Sequence, residues 1–563
     1  MDTHDQSYPS TSLRAQLDHR PRDLQFGTSG RRGDVVDLTQ LEIYLNARAE
    51  LEYLSGISPT AGAIKPGEMF FYATDLRASS TAYVIEQGGR GELAQAIEQA
   101  IRDAGLQPVN LGQIPTPALM AYAIARGCGS MMITGSHIPF HRNGYKTNSA
   151  KGELLKTDEA PINERVAAWR EHLYREDFVT SRFAANGNFK HGHRDLLPVE
   201  HAGRDAYLAR YRDFLGESAL RGLRVLVYQH SAVGRDLLVE TLRAVGAVVI
   251  PIGRSATFVP IDTEAIDAPT LASIQALVDE ATREHGRFDA LVSTDGDSDR
   301  PLLIALEAVD DAMSTARFFG GDLVGMIVAE FLNPDAVVVP ISCNDALDRS
   351  PLASVLAPKT KIGSPYVIEG MNAALARGAH RVCGWEANGG FLTAAAIDRR
   401  GRTLSALPTR DAFLPIVCVL AAMVEQKVSM SALFEKLPRR FSRAALLRNF
   451  PRATSLKILA ALTDTESVNN HAPSPTLRAT IERTFSPAHG FGAVRSLDYT
   501  DGVRLNFANG DVAHVRPSGN ADELRIYAVA DTQARADAIA ALGVQEPNGL
   551  LRQLERRRTA GTP

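Results

Sequence analysis

The sequence predicts an α/β protein with three related mixed α/β domains followed by a C-terminal antiparallel α+β domain. Strand-like apolar segments alternate with helical patterns over most of the chain, which is typical of α/β layers. Several of these strands end in a polar loop, where open α/β sheets bind their ligands. With 563 residues the chain is too long for one core and suggests about three to five domains of roughly 150 residues each.

The first predicted domain covers residues 1–199. We predict a strand at 68–73, a helix at 93–104 and a buried strand that ends at Ile133, just before Ser136. Residues 151–199 are polar and rich in charge, so we expect an insertion or a long connection there.

The second and third predicted domains, 200–312 and 313–427, repeat the same plan. Strands are predicted at 223–228, 247–251, 288–293, 336–341 and 381–383. Helices are predicted at 234–245, 270–284 and 365–377.

The fourth predicted domain, 428–563, has a different pattern. Val503, Leu505 and Phe507 alternate with polar neighbours, and Asn509-Gly510 is a strong hairpin signal. A further strand at 524–528 precedes an alanine-rich helix at 532–542. This order predicts an antiparallel sheet with helices.

Composition and charge exclude several classes of function. The chain is 45% hydrophobic and 22% charged, and its net charge of −4 offers no field for nucleic acid or an anionic membrane. The four cysteines show no metal-binding spacing, and the N-terminal segment has no apolar signal or anchor. We therefore expect a cytoplasmic protein with neither a nucleic-acid nor a membrane partner.

Asp295, Asp297 and Asp299 follow the strand predicted at 288–293. In an extended segment their side chains share one face, so the three carboxylates would repel one another unless a cation lay between them. Oxygen ligands favour Mg²⁺ over Zn²⁺. The alternatives are an acidic surface turn and the paired aspartates of a haloacid-dehalogenase-type phosphatase. An EF-hand does not fit, because Arg300 and Leu306 replace its required glycine and glutamate.

Four more polar loops suit a phosphorylated sugar. The loop Gly27–Gly33 combines glycines with Arg32, which suits a phosphate group. Ser136 is a candidate nucleophile, although a serine in such a turn often serves only to stabilise the turn. Arg516–Arg525 supplies two guanidinium groups and free amides for a phosphate dianion, or its arginines could instead form structural salt bridges. Glu386 and Asn388 could bind vicinal hydroxyls of a sugar, or could simply brace their loop.

Taken together, these motifs resemble the α-D-phosphohexomutases, especially the bacterial phosphomannomutase/phosphoglucomutase group, over nearly the whole chain. The resemblance rests on Gly27–Gly33, Thr134–Pro139, Asp295–Arg300, Gly384–Gly390 and Arg516–Gly519, which occur in the family's order. It implies four domains around a central cleft. It also implies Mg²⁺ as cofactor and a hexose 1,6-bisphosphate as intermediate or activator.

The resemblance also implies roles for individual residues. Ser136 would carry the transferable phosphate, and the three aspartates would bind Mg²⁺ together with an oxygen of that phosphoserine. The residues implied around the phosphoryl group are Arg32, His137 and Lys146, with Arg32 and Lys146 the candidates for proton transfer. The residues implied in substrate binding are Arg300, Lys361, Glu386, Asn388 and the phosphate clamp of Arg516, Ser518, Asn520 and Arg525.

Three loops depart from the sequences that are usual in the family. The serine loop has Gly135 and Ile138 where Ala and Asn are common, and the sugar loop has Asn388 where Ser is common. The clamp has Asn520-Ala521-Asp522 in place of Thr-Glu-Pro. No charged group of the reaction is lost, but the hexose is less well defined.

The expected function is therefore a Mg²⁺-dependent isomerase that interconverts hexose 1-phosphate and hexose 6-phosphate through a phosphoserine. Mannose phosphate is the preferred expectation, with glucose phosphate also used, by a monomer or homodimer. A phosphoglucosamine-type mutase, a sugar-phosphate phosphatase with water as acceptor, and a non-catalytic sugar-phosphate sensor are the competing interpretations.

Overall fold

The computed structural model describes residues 8–27, 29–264, 266–309, 313–463, 473–518 and 522–559, the last without the side chains of 557–559. The described residues form three mixed sheets, one five-stranded antiparallel sheet and two two-stranded antiparallel sheets. The predicted fold class is confirmed.

The first sheet has the order β1-β2-β8-β7-β3-β6, with β9 paired to β8. Strands β3, β6 and β7 are parallel, whereas β8 runs antiparallel to β7 and β2. The elements of this part are α1 Leu13–Gln16, β1 Gln25–Phe26, β2 Arg31–Asp34, α2 Gln40–Gly56, β3 Met69–Thr74, α3 Ala78–Thr81, β4 Tyr83–Val84, β5 Arg90–Gly91, α4 Leu93–Asp103, β6 Gln107–Gln113, α5 Thr116–Ile124, β7 Ser130–Ile133, β8 Arg142–Ser149, β9 Gly152–Glu153 and α6 Glu159–Arg175.

The segment 151–199, expected as an insertion or a connection, contains β9 and the helix α6. The inner face of α6 buries Ile162, Val166 and Leu173 against the core beside α2. Its other face is polar, so the composition of the segment suggested an insertion although α6 packs as part of the first unit.

The second sheet has the order β11-β10-β12-β13-β14. Strands β11, β10 and β12 are parallel, whereas β13 runs antiparallel to β12 and β14 runs antiparallel to β13. Its elements are α7 Ala202–Leu215, β10 Arg224–His230, α8 Arg235–Ala244, β11 Val248–Arg254, α9 Ala268–His285, β12 Ala290–Thr294, β13 Pro301–Ala308 and β14 Ser314–Phe318.

The third sheet has the order β15-β16-β17-β20, with a separate hairpin β18-β19. Its elements are α10 Gly321–Leu332, β15 Ala336–Val338, α11 Ser364–Ala376, β16 Val382–Trp385, β17 Phe391–Thr393, β18 Ile397–Arg399, β19 Arg402–Leu404, β20 Leu407–Asp411, α12 Phe413–Gln426 and α13 Met430–Phe434.

The fourth sheet is antiparallel throughout, in the order β21-β25-β24-β23-β22. Its elements are β21 Phe441–Arg448, α14 Arg452–Ala461, α15 Pro475–Glu482, β22 Val494–Asp498, β23 Val503–Phe507, β24 Val512–Pro517, β25 Glu523–Ala530, α16 Gln533–Val544 and α17 Leu550–Thr559.

Two elements lie across the boundaries expected from the sequence. Strand β14 pairs with β13 in the second sheet, although it follows residue 312, and α13 packs on α12, although it follows residue 427. We therefore propose that the second domain extends through Phe318 and that the fourth begins at about Phe441.

One hydrophobic cluster joins the first three units, in addition to a smaller or separate cluster within each of them. Buried side chains of α5, α7, α8, α10 and α12 form a continuous cluster between the sheets, whereas the fourth unit has a separate core. The first three units therefore hold their loops in fixed relation to one another. Among the helices of the described ranges, none is long and apolar enough to cross a membrane.

Candidate active site

Ser136 lies in the loop that follows β7, and a buried arginine holds this loop in place. The guanidinium of Arg77 donates to the carbonyl oxygens of Ser136 at 2.9 Å and Pro139 at 2.9 Å. A Cβ at Gly135 would lie 2.5 Å from the guanidinium carbon of Arg77, so glycine is required there. Ser136 has a left-handed φ of +53°, a strained conformation of the kind found at functional sites.

Asp295, Asp297 and Asp299 are buried directly against the serine loop. The Ser136 hydroxyl donates to Asp295 Oδ2 at 2.9 Å, and one ligand oxygen from each aspartate lies within 4.8 Å of those from the other two. A Cβ at Gly296 would lie 2.6 Å from the Ser136 carbonyl oxygen, so this glycine lets the two loops approach. The three carboxylates form a group that could hold a metal ion.

Lys146 and Arg410 pair with Oδ2 atoms of the aspartates, and Arg300 Nε lies 3.6 Å from Asp299 Oδ1. Lys146 Nζ donates to Asp297 Oδ2 and Asp299 Oδ2, both at 2.7 Å, and Arg410 donates to Asp299 Oδ2 at 2.8 Å. The Oδ1 atoms of Asp297 and Asp299 are buried and accept no hydrogen bond from any described residue. Buried carboxylate oxygens that accept no hydrogen bond fit a hard divalent cation.

The pKa values of the three aspartates diverge. Burial raises the pKa of Asp295 well above its usual value, and the charges of Asp297 and Asp299 add to this effect. Burial would also raise the pKa of the other two, but Lys146 beside Asp297 and Arg410 beside Asp299 lower both. Asp297 and Asp299 are therefore held ionised.

Arg32, His137 and Lys146 line the cleft together with Ser136. Desolvation lowers the pKa of Arg32 to about 10. The charge of Arg300, followed by desolvation, lowers the pKa of His137 well below its usual value, so its ring is neutral near pH 7.

Glu386 and Asn388 occupy the loop after β16. The loop closes on itself, because Asn388 Oδ1 accepts from the Gly390 amide at 3.0 Å. Glu386 Oε2 accepts from Arg410 at 3.0 Å. Both side chains line the cleft.

The opposite wall of the cleft comes from the antiparallel sheet. Arg516 on β24 and Arg525 on β25 are directly paired across the two strands, and Ser518 follows at the end of β24. Arg516 Nε donates to Asp501 at 2.9 Å, and Arg525 Nη2 donates to Glu523 at 3.0 Å. Asn520 lies outside the described residues.

The cleft has a volume of about 200 Å³. It brings together most of the predicted site residues: Arg32, Ser136, His137, Lys146, Arg300, Glu386, Asn388, Arg516, Ser518 and Arg525. Lys361 is not part of this lining; its side chain is exposed, with Nζ 5.8 Å from the centre of the Tyr366 ring, and the neighbouring Ile362 lines the cleft instead.

Three charged side chains at or beside the cleft were not singled out from the sequence. Arg77 follows Asp75 in the polar exit of β3, Arg410 stands in β20, and Glu264 lines the cleft from the loop before α9. No motif surrounds Arg410 or Glu264, and the only available signal was a charged side chain inside the predominantly apolar segment around β20.

Sequence models of a known family match three parts of the chain. They are described as phosphoglucomutase/phosphomannomutase alpha/beta/alpha domain I, which matches residues 23–172, alpha/beta/alpha domain III, which matches 320–441, and the C-terminal domain, which matches 461–542.

Curated relatives and solved structures agree with these matches. A phosphomannomutase of Sinorhizobium fredii is 36% identical over 92% of this chain and 98% of its own length. A phosphomannomutase of Salmonella muenchen is 34% identical over 91% of this chain and 93% of its own length. The crystal structure of a phosphoglucomutase/phosphomannomutase family protein from Burkholderia thailandensis has the same fold, with a TM-score of 0.64 at 17% identity over 95% of this chain and 98% of that one.

Proposed function

The chain belongs to the α-D-phosphohexomutase (phosphoglucomutase/phosphomannomutase) family, and we propose that it interconverts hexose 1-phosphate and hexose 6-phosphate. It is an isomerase of the phosphotransferase type. Mannose phosphate is the proposed preferred substrate, because the two relatives above are phosphomannomutases and align over nearly their whole length. Glucose phosphate is proposed as a second substrate.

One observation carries the proposal. The Ser136 hydroxyl lies 2.9 Å from Asp295 in a cleft whose other wall carries Arg516 and Arg525. A phosphoryl acceptor, a candidate metal site and a pair of arginines for a second phosphate thus share one space. This arrangement suits the transfer of a phosphoryl group to a sugar that is held by its other phosphate.

In the proposed reaction a sugar hydroxyl attacks the phosphorus carried by Ser136. The new oxygen–phosphorus bond forms as the bond to Ser136 Oγ breaks. Arg32 or Lys146, which line the cleft, would take up the proton of the sugar hydroxyl and deliver a proton to the departing Ser136 Oγ, so the side chain's own charge is unchanged at the end of the step. Mg²⁺ bound by the three aspartates would neutralise charge on the phosphoryl oxygens. The neutral His137 ring can donate a hydrogen bond to the same group.

The resulting hexose 1,6-bisphosphate must turn over before its other phosphate can return to Ser136. A larger cavity of about 670 Å³ shares Glu264, Ser342, Ala387 and Tyr527 with the cleft. This space supports the proposal that the intermediate reorients without leaving the protein. The clamp would then hold whichever phosphate is not being transferred.

Intact-protein mass spectrometry tests the phosphoserine. The purified protein should carry one phosphoryl group, mapped by peptide fragmentation to Ser136, and Ser136→Ala should lack it and retain only trace mutase activity. Near-normal turnover by the alanine variant would refute the mechanism.

Coupled assays with the 1-phosphates of mannose, glucose, glucosamine and N-acetylglucosamine would identify the hexose. Stimulation by added glucose 1,6-bisphosphate separates a mutase from a phosphatase, which would release inorganic phosphate without it. A sensor would bind sugar phosphates with no turnover at all.

We also propose a cytoplasmic location. The cysteines Cys128, Cys343, Cys383 and Cys418 are all free and buried, which supports a reducing compartment. A monomer or homodimer remains the proposed assembly.

A further inference from the structure

Arg410 connects the loop that carries Asp299, a candidate metal ligand, with the loop that carries Glu386, a candidate sugar ligand. Its Nε and Nη2 donate to Asp299 Oδ2 at 3.2 and 2.8 Å, and its Nη1 donates to Glu386 Oε2 at 3.0 Å. All three side chains are almost completely buried. One guanidinium thus joins a candidate metal ligand to the candidate sugar-binding carboxylate.

The strand that carries Arg410 is anchored on both sides. The preceding Thr409 donates to Glu153 of the first unit at 2.6 Å. The following Asp411 accepts from Tyr207 at 2.6 Å and from Tyr211, both on α7 of the second unit. The backbone of Arg410 is therefore fixed by three units of the molecule, and its side chain has little freedom to move.

The sugar loop has a shape that admits this arginine. A Cβ at Gly390 would lie 2.7 Å from both Cγ and Cδ of Arg410. The absence of a side chain at position 390 therefore leaves the space through which Arg410 reaches Glu386. Gly390 and Arg410 are complementary parts of one arrangement.

Arginine chemistry suits the bridge and lysine chemistry does not. A guanidinium presents five donors in a rigid plane, so one group can serve two carboxylates in fixed directions. A lysine would supply the charge but not the second directed contact. Without Arg410, Glu386 would lose its only ion-pair partner among the described residues and would be a buried, unpaired carboxylate.

We propose that Arg410 is a positioning residue that orients Glu386 for the sugar hydroxyls and ties this loop to Asp299 of the phosphoryl-transfer centre. Arg410 acts through these two carboxylates, so sugar recognition and the transfer centre share one support. The inference rests on the proposed phosphohexomutase function.

The test compares Arg410→Lys, Arg410→Gln, Glu386→Gln and the Arg410→Gln/Glu386→Gln double variant. The matched control is Arg402→Gln, which removes an exposed arginine of the same unit. For each protein, kcat and KM are measured with mannose 1-phosphate and glucose 1-phosphate. Mn²⁺ binding to the sugar-free protein is measured by electron paramagnetic resonance, and folding is checked by circular dichroism.

Arg410→Lys should raise KM for the sugar phosphate about 10-fold or more while Mn²⁺ affinity stays near that of the wild type, because a cation still faces Asp299. Arg410→Gln should also weaken Mn²⁺ binding about 10-fold, within the usual range for a lost partner of a metal ligand. The double variant should lose little more kcat/KM than the worse single variant, because both changes break the same contact.

Gly390→Ala provides a test that alters no charged group. Its Cβ would displace the Arg410 side chain, so KM should rise as in Arg410→Lys. A folded Arg410→Lys protein with wild-type KM, or additive losses in the double variant, would overturn the inference. A wild-type protein inactive on every hexose phosphate would instead overturn the proposed function, so the two failures are distinguishable.

Discussion

Replacement of Arg77 by methionine should both destabilise the first unit and impair Ser136. The arginine is buried, and it donates to Asp75 as well as to four carbonyl oxygens of the serine loop and β8. Methionine fills part of the volume but donates no hydrogen bond. Asp75 would then lose its ion pair inside the protein.

The size of the effect follows from these contacts. Each hydrogen bond to a charged group contributes about 1.5–3 kcal/mol, but bonds that share one side chain are not additive. Breaking a buried ion pair costs about 3–5 kcal/mol, which we take as the expected loss. For a unit of this size, such a loss lowers Tm by roughly 10 °C.

Two measurements check this prediction. Thermal unfolding followed by circular dichroism should show the lower Tm, and kcat should fall with little change in KM, because the clamp on the fourth sheet is untouched. Arg142→Met is the control, since Arg142 lies 3.5 Å from Asp34 in a partly exposed pair worth at most about 1 kcal/mol. If Arg77→Met shifted Tm no more than this control, the proposed role of Arg77 would be refuted.

Three further predictions concern the clamp, the metal and pH. Arg516→Ala should mainly raise KM in steady-state assays, because Arg516 would hold the phosphate that is not transferred; an unchanged KM would contradict the clamp. Removal of divalent ions with EDTA should abolish activity, and Mg²⁺ should restore it in wild type but not in Asp297→Asn; full activity in EDTA would contradict a metal requirement. Burial lowers the pKa of His514 to about 4 in the folded protein, below the value of about 6.5 for a free histidine. As the pH falls, this histidine is therefore protonated in the unfolded chain before it is protonated in the folded protein, and the free energy of unfolding should fall by about 3 kcal/mol between about pH 6.5 and 4. Denaturant titrations across this range should show a smaller fall for His514→Gln, and an equal fall would show that His514 does not cause it.

The sequence was most informative where a local pattern decides the structure. Apolar runs with clear ends located strands such as β3 and β12, because a strand buried on both faces must be apolar along its length. It was less informative where tertiary packing decides. The segment of α6 was expected to be an insertion or a connection, because its polar residues outnumber the few that it buries. Strand β14 belongs to the second sheet because it pairs with β13, and no local sequence pattern indicates that pairing.

The same division holds for the candidate site. Ser136, the aspartates and the clamp stand in compact motifs, so their neighbours along the chain identified them. Arg410 and Arg77 act on loops that are 111 and 59 residues away in the sequence, and a single arginine carries no sign of its distant partner. Lys361 is the opposite case. Its place in the chain predicted that its side chain would lie in the site, but in the fold this side chain is not part of the cleft lining.

The charge balance at the aspartates shows why these distant residues matter. Three buried carboxylates so close together would favour protonation, and Asp295, whose pKa is raised, shows that tendency. Lys146 and Arg410 oppose it at Asp297 and Asp299, yet they contact only the Oδ2 atoms. The Oδ1 atoms therefore belong to ionised carboxylates and still accept no hydrogen bond from the described residues, which is the state that an incoming cation requires. The aspartate motif supplies the ligands, but a lysine and an arginine from other sheets keep two of them ready to bind.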